Sequence, residues 1–244
     1  EIVTPDISSV PEPSVVGERP ASTQSPSAPR EAERRHITVM FCDLVGSTAL
    51  SQTLDPEDLR DLMRSYQNAA RQVIERYEGH IAQYLGDGIM VYFGWPRAHG
   101  DEARRSVLSG LEIIEAVGLL EAPAKLAVRV GIATGVVVIG DTGEGDAAEP
   151  KTAVGETPNI AARLQGLARP NAVVIGPVTK TLAREAFDYE DLGSQVLKGI
   201  SEPVHAWKVV GIRAEEAEHH REAGQNALLQ ALARRVFQMG CSRR

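Results

Sequence analysis

The segment Ile37-Thr38-Val39-Met40-Phe41-Cys42 is a dense run of β-forming residues that stops at Asp43, with a turn expected at Gly46-Ser47-Thr48 just beyond. It predicts a buried strand that leaves the core at a carboxylate. The residues that follow restrict what can pair with it. Asp55-Pro56 offers a helix N-cap with proline at the first helical position. Leu59, Leu62, Met63, Tyr66, Ala70, Val73, Ile74 and Tyr77 then recur at helical spacing as far as Gly79. Two short strands come next, His80 to Leu85 and Ile89 to Phe93, joined through the hairpin chemistry of Gly86-Asp87-Gly88.

Residues 101 to 117 predict a second helix with Val107, Leu108, Leu111, Ile114 and Val117 inward. Leu126 to Thr134 and Val136 to Gly140 read as paired strands around Gly135. Thr157-Pro158 starts a helix that runs to Leu167, followed by a strand at Ala172 to Ile175, a helix near Pro177 to Ala183, and strands near Phe187 and at Val204 to Val210. The order β-α-β-β-α-β with smaller β/α additions predicts an α+β fold with a ferredoxin-like core. A fold does not by itself give a function.

The flanks differ in composition from this core. Residues 1–33 are rich in Pro, Ser, Glu and Ala and are expected to be a disordered leader or linker. Residues 34–211 hold the folded domain, 141–150 form an exposed Gly- and acid-rich arm, and 212–244 read as a helical connector to a further domain. A net charge of −7 without basic clusters argues against a nucleic-acid partner. Two cysteines, Cys42 and Cys241, do not make a disulfide framework and fit a cytoplasmic location. No apolar run approaches the roughly 20 residues of a membrane span. The six histidines lack metal-ligand spacing and are not assigned as ligands.

Asp43 ends one strand and Asp87 sits at a hairpin tip, so in a ferredoxin-like sheet their carboxylates can converge on one point. Converging carboxylates suit Mg²⁺ ions bridged by phosphate oxygens, although each aspartate alone is also ordinary turn chemistry. Asn159 and Arg163 are four residues apart on one helix and share a face near its amino end, where an amide and a fixed cation can meet a phosphate. Cys42, one residue before Asp43, points to the opposite face and reads as a core thiol.

Taken in order, Phe41-Cys42-Asp43-Leu44-Val45-Gly46-Ser47-Thr48, Gly86-Asp87-Gly88, Arg129-Val130-Gly131-Ile132, Val154-Gly155-Glu156-Thr157-Pro158-Asn159-Ile160-Ala161-Ala162-Arg163-Leu164 and Leu197-Lys198-Gly199 resemble the class III adenylate and guanylate cyclase catalytic domain. The resemblance implies that Asp43 and Asp87 bind two Mg²⁺ or Mn²⁺ ions, with Leu44 counted in the metal set. It implies that Asn159 positions the ribose and Arg163 stabilises charge at the α-phosphate. Arg129 and Lys198 match triphosphate contacts, and Phe41 is counted with the substrate-binding residues. The implied reaction is attack of the ribose 3′-oxygen on the α-phosphorus with release of pyrophosphate. The implied assembly is a head-to-tail homodimer in which the aspartates of one protomer face the Asn-Arg pair of the other.

Adenylate-specific members of this family carry Lys four residues before the second metal Asp and Asp seven residues before the Asn. This chain has Gln83 and Thr152 there. Both side chains donate and accept, so the pair can satisfy adenine or, rearranged, guanine. The expectation is an adenylate cyclase acting on ATP, with slow turnover and some acceptance of GTP. The alternatives are a degenerate cyclase-homology domain that binds nucleotide as a regulatory module, and a ferredoxin-like interaction module that binds none.

Overall fold

The computed structural model describes residues 32–122, 125–140 and 152–214. The leader up to residue 31, the arm at 141–150 and the connector beyond 214 lie outside the described residues.

Strand β1 (Glu33–Leu44) is followed by a short helix α1 (Ser47–Thr53) and a long helix α2 (Pro56–Arg76). Asp55 caps α2 as its sequence predicts, its side chain accepting from the Glu57 backbone N–H at 2.9 Å. Hairpin β2 (His80–Leu85) and β3 (Gly88–Phe93) leads into α3 (Glu102–Gly118) and β4 (Val128–Gly140). The rest is β5 (Thr152–Val154), α4 (Glu156–Leu167), β6 (Ala172–Ile175), α5 (Pro177–Ala183), β7 (Phe187–Gln195) and β8 (Val204–Ile212).

The sheet runs β2-β3-β1-β4-β6-β8-β7, with β5 paired to the far end of β4. Its first four strands, with α2 and α3 as the crossovers, make the expected βαββαβ core, and β6, β8 and β7 widen it. β1 is antiparallel to both neighbours, β3 and β4, whereas β6 joins β4 in parallel. Along β1 the side chains alternate between two cores. Met40, Cys42 and Leu44 pack with Leu62, Tyr66, Ala70 and Ile74 of α2 and with α3. Ile37 and Val39 pack with Ala161 and Leu164 of α4 on the other face. Burial on both faces explains why β1 reads as a continuous apolar run rather than an alternating one.

Two features differ from the sequence reading. Gly46-Ser47-Thr48, taken as a turn, opens α1, a helix of 7 residues with none buried and therefore no amphipathic signature. The strands read as a pair around Gly135 are one strand, β4, whose 13 residues run through the glycine and pair with β1 along most of its length.

Gly135 serves the packing of α4. A β-carbon on Gly135 would stand 2.5 Å from Thr157 Oγ1, and one on Gly131 would stand 2.0 Å from the Gln165 backbone nitrogen and 2.4 Å from the Ala161 carbonyl oxygen. Helix α4 thus rests on β4 main chain against main chain at Gly131 and through the small Thr157 side chain at Gly135, the kind of close approach that glycine permits.

Candidate active site

The pairing registers set the site out as two rows on the α4 face of the sheet. One row is Gln83, Met90, Phe41 and Gly131 across β2, β3, β1 and β4. The next row, about 7 Å further along the strands, is Leu85, Gly88, Asp43 and Arg129. Phe41, Asp43, Gln83 and Arg129, singled out on separate segments, therefore share one face within two rows.

Gln83 reaches that face through an irregularity. The β2–β3 register shifts between Ile81 and Gln83, leaving Ala82 as an extra residue. Without the shift Gln83 would oppose Ile89, whose side chain lies in the α2/α3 core. The bulge moves it opposite Met90, on the α4 face.

Asp43 is half-buried, and its carboxyl is held above its ordinary value, first by burial and then by the charge and hydrogen bonding of Asp87 at the hairpin tip. The Arg129 guanidinium and a hydrogen bond from Gln165 pull the other way. Gln165 Nε2 donates to Asp43 Oδ2 at 3.3 Å. The Leu44 side chain is buried in the α2/α3 core, so only its backbone can serve the site. Cys42 also lies in that core, 3.5 Å from the Tyr66 hydroxyl, and burial pushes its thiol up to about 12. It is a packed thiol, as its place in the strand predicts.

Two carboxylates pressed together need a compensating cation. Among the described residues no group of three or more His, Cys, Asp or Glu side chains is arranged to hold a metal ion. A pair of carboxylates fits Mg²⁺ or Mn²⁺, which keep water and phosphate oxygens in their shells, and does not fit a closed zinc site. Beside the pair, the buried Arg129 Nε has no hydrogen-bond partner, and an orphaned guanidinium N–H next to a metal-type carboxylate pair suits a phosphate oxygen.

Asn159 and Arg163 are exposed on α4. Asn159 Nδ2 donates to the Gly155 carbonyl at 3.5 Å, and Arg163 Nε donates to the Lys198 carbonyl at 3.0 Å. The latter bond ties α4 to the segment between β7 and β8 and brings two of the candidate residues together. Gln165, two residues beyond Arg163, lies about 200° around the helix from it. The same helix therefore turns one face to its own chain's Asp43 while its Asn-Arg face is open to solvent.

Thr152 begins β5 opposite Gly140. Gly140 is nine residues along β4 from Gly131, the row of Gln83. Sequence reasoning missed Gln165 and the glycines beneath it; two glycines four residues apart inside a β-forming run were the available sign of a close backbone approach.

The profile of the adenylate and guanylate cyclase catalytic domain matches residues 30–211. An uncharacterised protein of Rhizobium meliloti is 37% identical over 199 residues, covering 80% of this chain and 19% of the relative. The structure resembles that of the adenylyl cyclase CyaB from P. aeruginosa, with a TM-score of 0.69 and 31% identity over 75% of this chain and 98% of that one. It resembles that of the guanylyl cyclase Cya2 equally, with a TM-score of 0.69 and 30% identity over 75% of this chain and 95% of the other. The chain spans about a fifth of the length of the Rhizobium relative. With the carboxylate pair, the orphaned arginine and the Asn-Arg helix face in place on this sheet, the chain belongs to the family of adenylate and guanylate cyclase catalytic domains.

Proposed function

We propose that this domain cyclises a purine nucleoside triphosphate, ATP first and GTP less readily, to the 3′,5′-cyclic monophosphate and pyrophosphate. The observation that carries the reading is the meeting of Asp43 with Asp87 beside the unpartnered Arg129 Nε. Asp43 and Asp87, with the Leu44 carbonyl, hold two Mg²⁺ or Mn²⁺ ions. Such ions, when bound, lower the pKa of the 3′-hydroxyl and neutralise phosphate charge. Arg129 and Lys198 hold the triphosphate. Asn159 orients the ribose so that O3′ forms its bond to the α-phosphorus in line with the departing pyrophosphate, and Arg163 stabilises the charge that builds up there.

One observation supports a site built from two chains: Asn159 and Arg163 face outward while Gln165 of the same helix faces Asp43. A head-to-tail homodimer with two sites satisfies it.

Chromatography of the products from ATP and from GTP, each with Mg²⁺ or Mn²⁺, tests the reading. A cyclic product that disappears in Asp43→Ala supports it. Nucleotide binding without any cyclic product would overturn it in favour of a regulatory module.

A further inference from the structure

We infer that Gln165 is a positioning residue for the first metal-binding carboxylate; the inference rests on Asp43 being a metal ligand, as proposed above. Four observations point to it. Gln165 Nε2 donates to Asp43 Oδ2 at 3.3 Å across 122 residues of sequence. The other oxygen, Oδ1, lies on the side of the hairpin tip, 3.7 Å from the point where a β-carbon on Gly88 would be. One carboxylate oxygen is thus engaged by the amide, and the other lies beside Gly88 at the hairpin that carries Asp87. The backbone that carries the donor has little freedom, because the Gln165 backbone nitrogen sits directly over Gly131 of β4. Gly131 in turn is in register with Phe41, two residues before Asp43 on β1. The amide therefore reaches Asp43 from a backbone that is fixed against the same pair of strands.

The consequence is chemical. A carboxylate set beside another can rotate away from its neighbour, and the Gln165 amide opposes that rotation by holding Oδ2. Outer partners of this kind orient a metal ligand, and their loss typically costs about 10- to 100-fold in metal affinity or activity. Glutamine suits the task because it donates without adding a third negative charge to the pair.

The test compares wild type, Gln165→Ala, Gln165→Leu and Asp43→Ala. Mn²⁺ binding is followed by electron paramagnetic resonance without nucleotide, the Mn²⁺ requirement and nucleotide KM in the cyclase assay, and folding by circular dichroism. Gln165→Leu keeps the bulk of the side chain and removes the donor. The expected result is that both Gln165 variants remain folded, bind Mn²⁺ about tenfold more weakly and need correspondingly more Mn²⁺ for half-maximal rate, with nucleotide KM at saturating metal little changed. Wild-type Mn²⁺ affinity in Gln165→Leu would overturn the inference even if Gln165→Ala is impaired, because packing alone would then account for the residue. If wild type binds Mn²⁺ and Asp43→Ala does not, the metal reading stands whatever the Gln165 variants do. If wild type and Asp43→Ala bind alike, both readings fall.

Discussion

The α-carbon of Gly131 lies so close beneath Gln165 that a β-carbon added to it would stand 2.0 Å from the Gln165 backbone nitrogen. The obstacle is main chain, which cannot rotate aside. Gly131→Ala is therefore expected to destabilise the domain by about 3 kcal/mol or more, lowering Tm by roughly 6–12 °C. At Gly135 the added carbon meets the Thr157 hydroxyl, a side-chain atom, so Gly135→Ala should cost less, about 1–2 kcal/mol. Gly166 sits inside α4 with open space around it, and Gly166→Ala should stabilise by about 0.5–1 kcal/mol. Thermal unfolding of the three variants checks the order.

Complementation tests the division of the site between chains. Asp43→Ala and Arg163→Ala should each lower cyclase activity by about 100-fold or more. Mixed in equal amounts under conditions that allow exchange, half of the dimers carry one chain of each kind, and each of these has one intact site. Recovery of about a quarter of wild-type activity is expected. Continued inactivity of the mixture, with exchange shown by a labelled chain, would place both residues in one chain's site.

Base choice is expected to follow Gln83. The β2 bulge at Ala82 brings this residue onto the face of Phe41 and Asp43. Gln83→Lys adds a charge-assisted donor at that position, worth about 1.5–3 kcal/mol, and should raise the ATP to GTP ratio of kcat/KM by about tenfold or more. Parallel measurement of both cyclic products decides it.

Repulsion between the two carboxylates should be visible in the metal-free protein. The folded state raises the Asp43 carboxyl above its ordinary 3.8, through burial first and Asp87 second, so ionised Asp43 works against folding. Its unfavourable contribution is present at neutral pH and fades as the pH falls through the raised value. In chelator at pH 7, Asp43→Asn should melt above wild type, and the gap should narrow on acidification. Added Mn²⁺ should stabilise wild type and leave Asp43→Asn nearly unchanged.

Much of this arrangement is visible in the chain before it folds. The apolar run ending at Asp43, the Asp55-Pro56 cap and the Gly86-Asp87-Gly88 tip each carry a local signal, and together they place β1, α2 and the hairpin. Other features depend on contacts between distant segments. Gly135 reads as a break because a glycine in a β-forming run usually marks a turn or a kink, yet β4 continues through it and the missing side chain makes room for Thr157. The bulge at Ala82 has no composition of its own, since Ala82 and Gln83 would alternate as well without it. Gln165 looks like any polar residue on a half-buried helix, and only the approach of α4 to β4 turns it toward Asp43.

That approach also limits how the domain could be controlled from outside. A helix lying on side chains can slide or roll by small amounts as the layer beneath it repacks, but α4 meets β4 backbone to backbone at Gly131 and has no such cushion there. In the proposed dimer, the Asn-Arg face and the carboxylate pair would thus each be delivered as a finished half of a tool, rigid within its own protomer. An incoming signal would then act on how the two protomers close on each other.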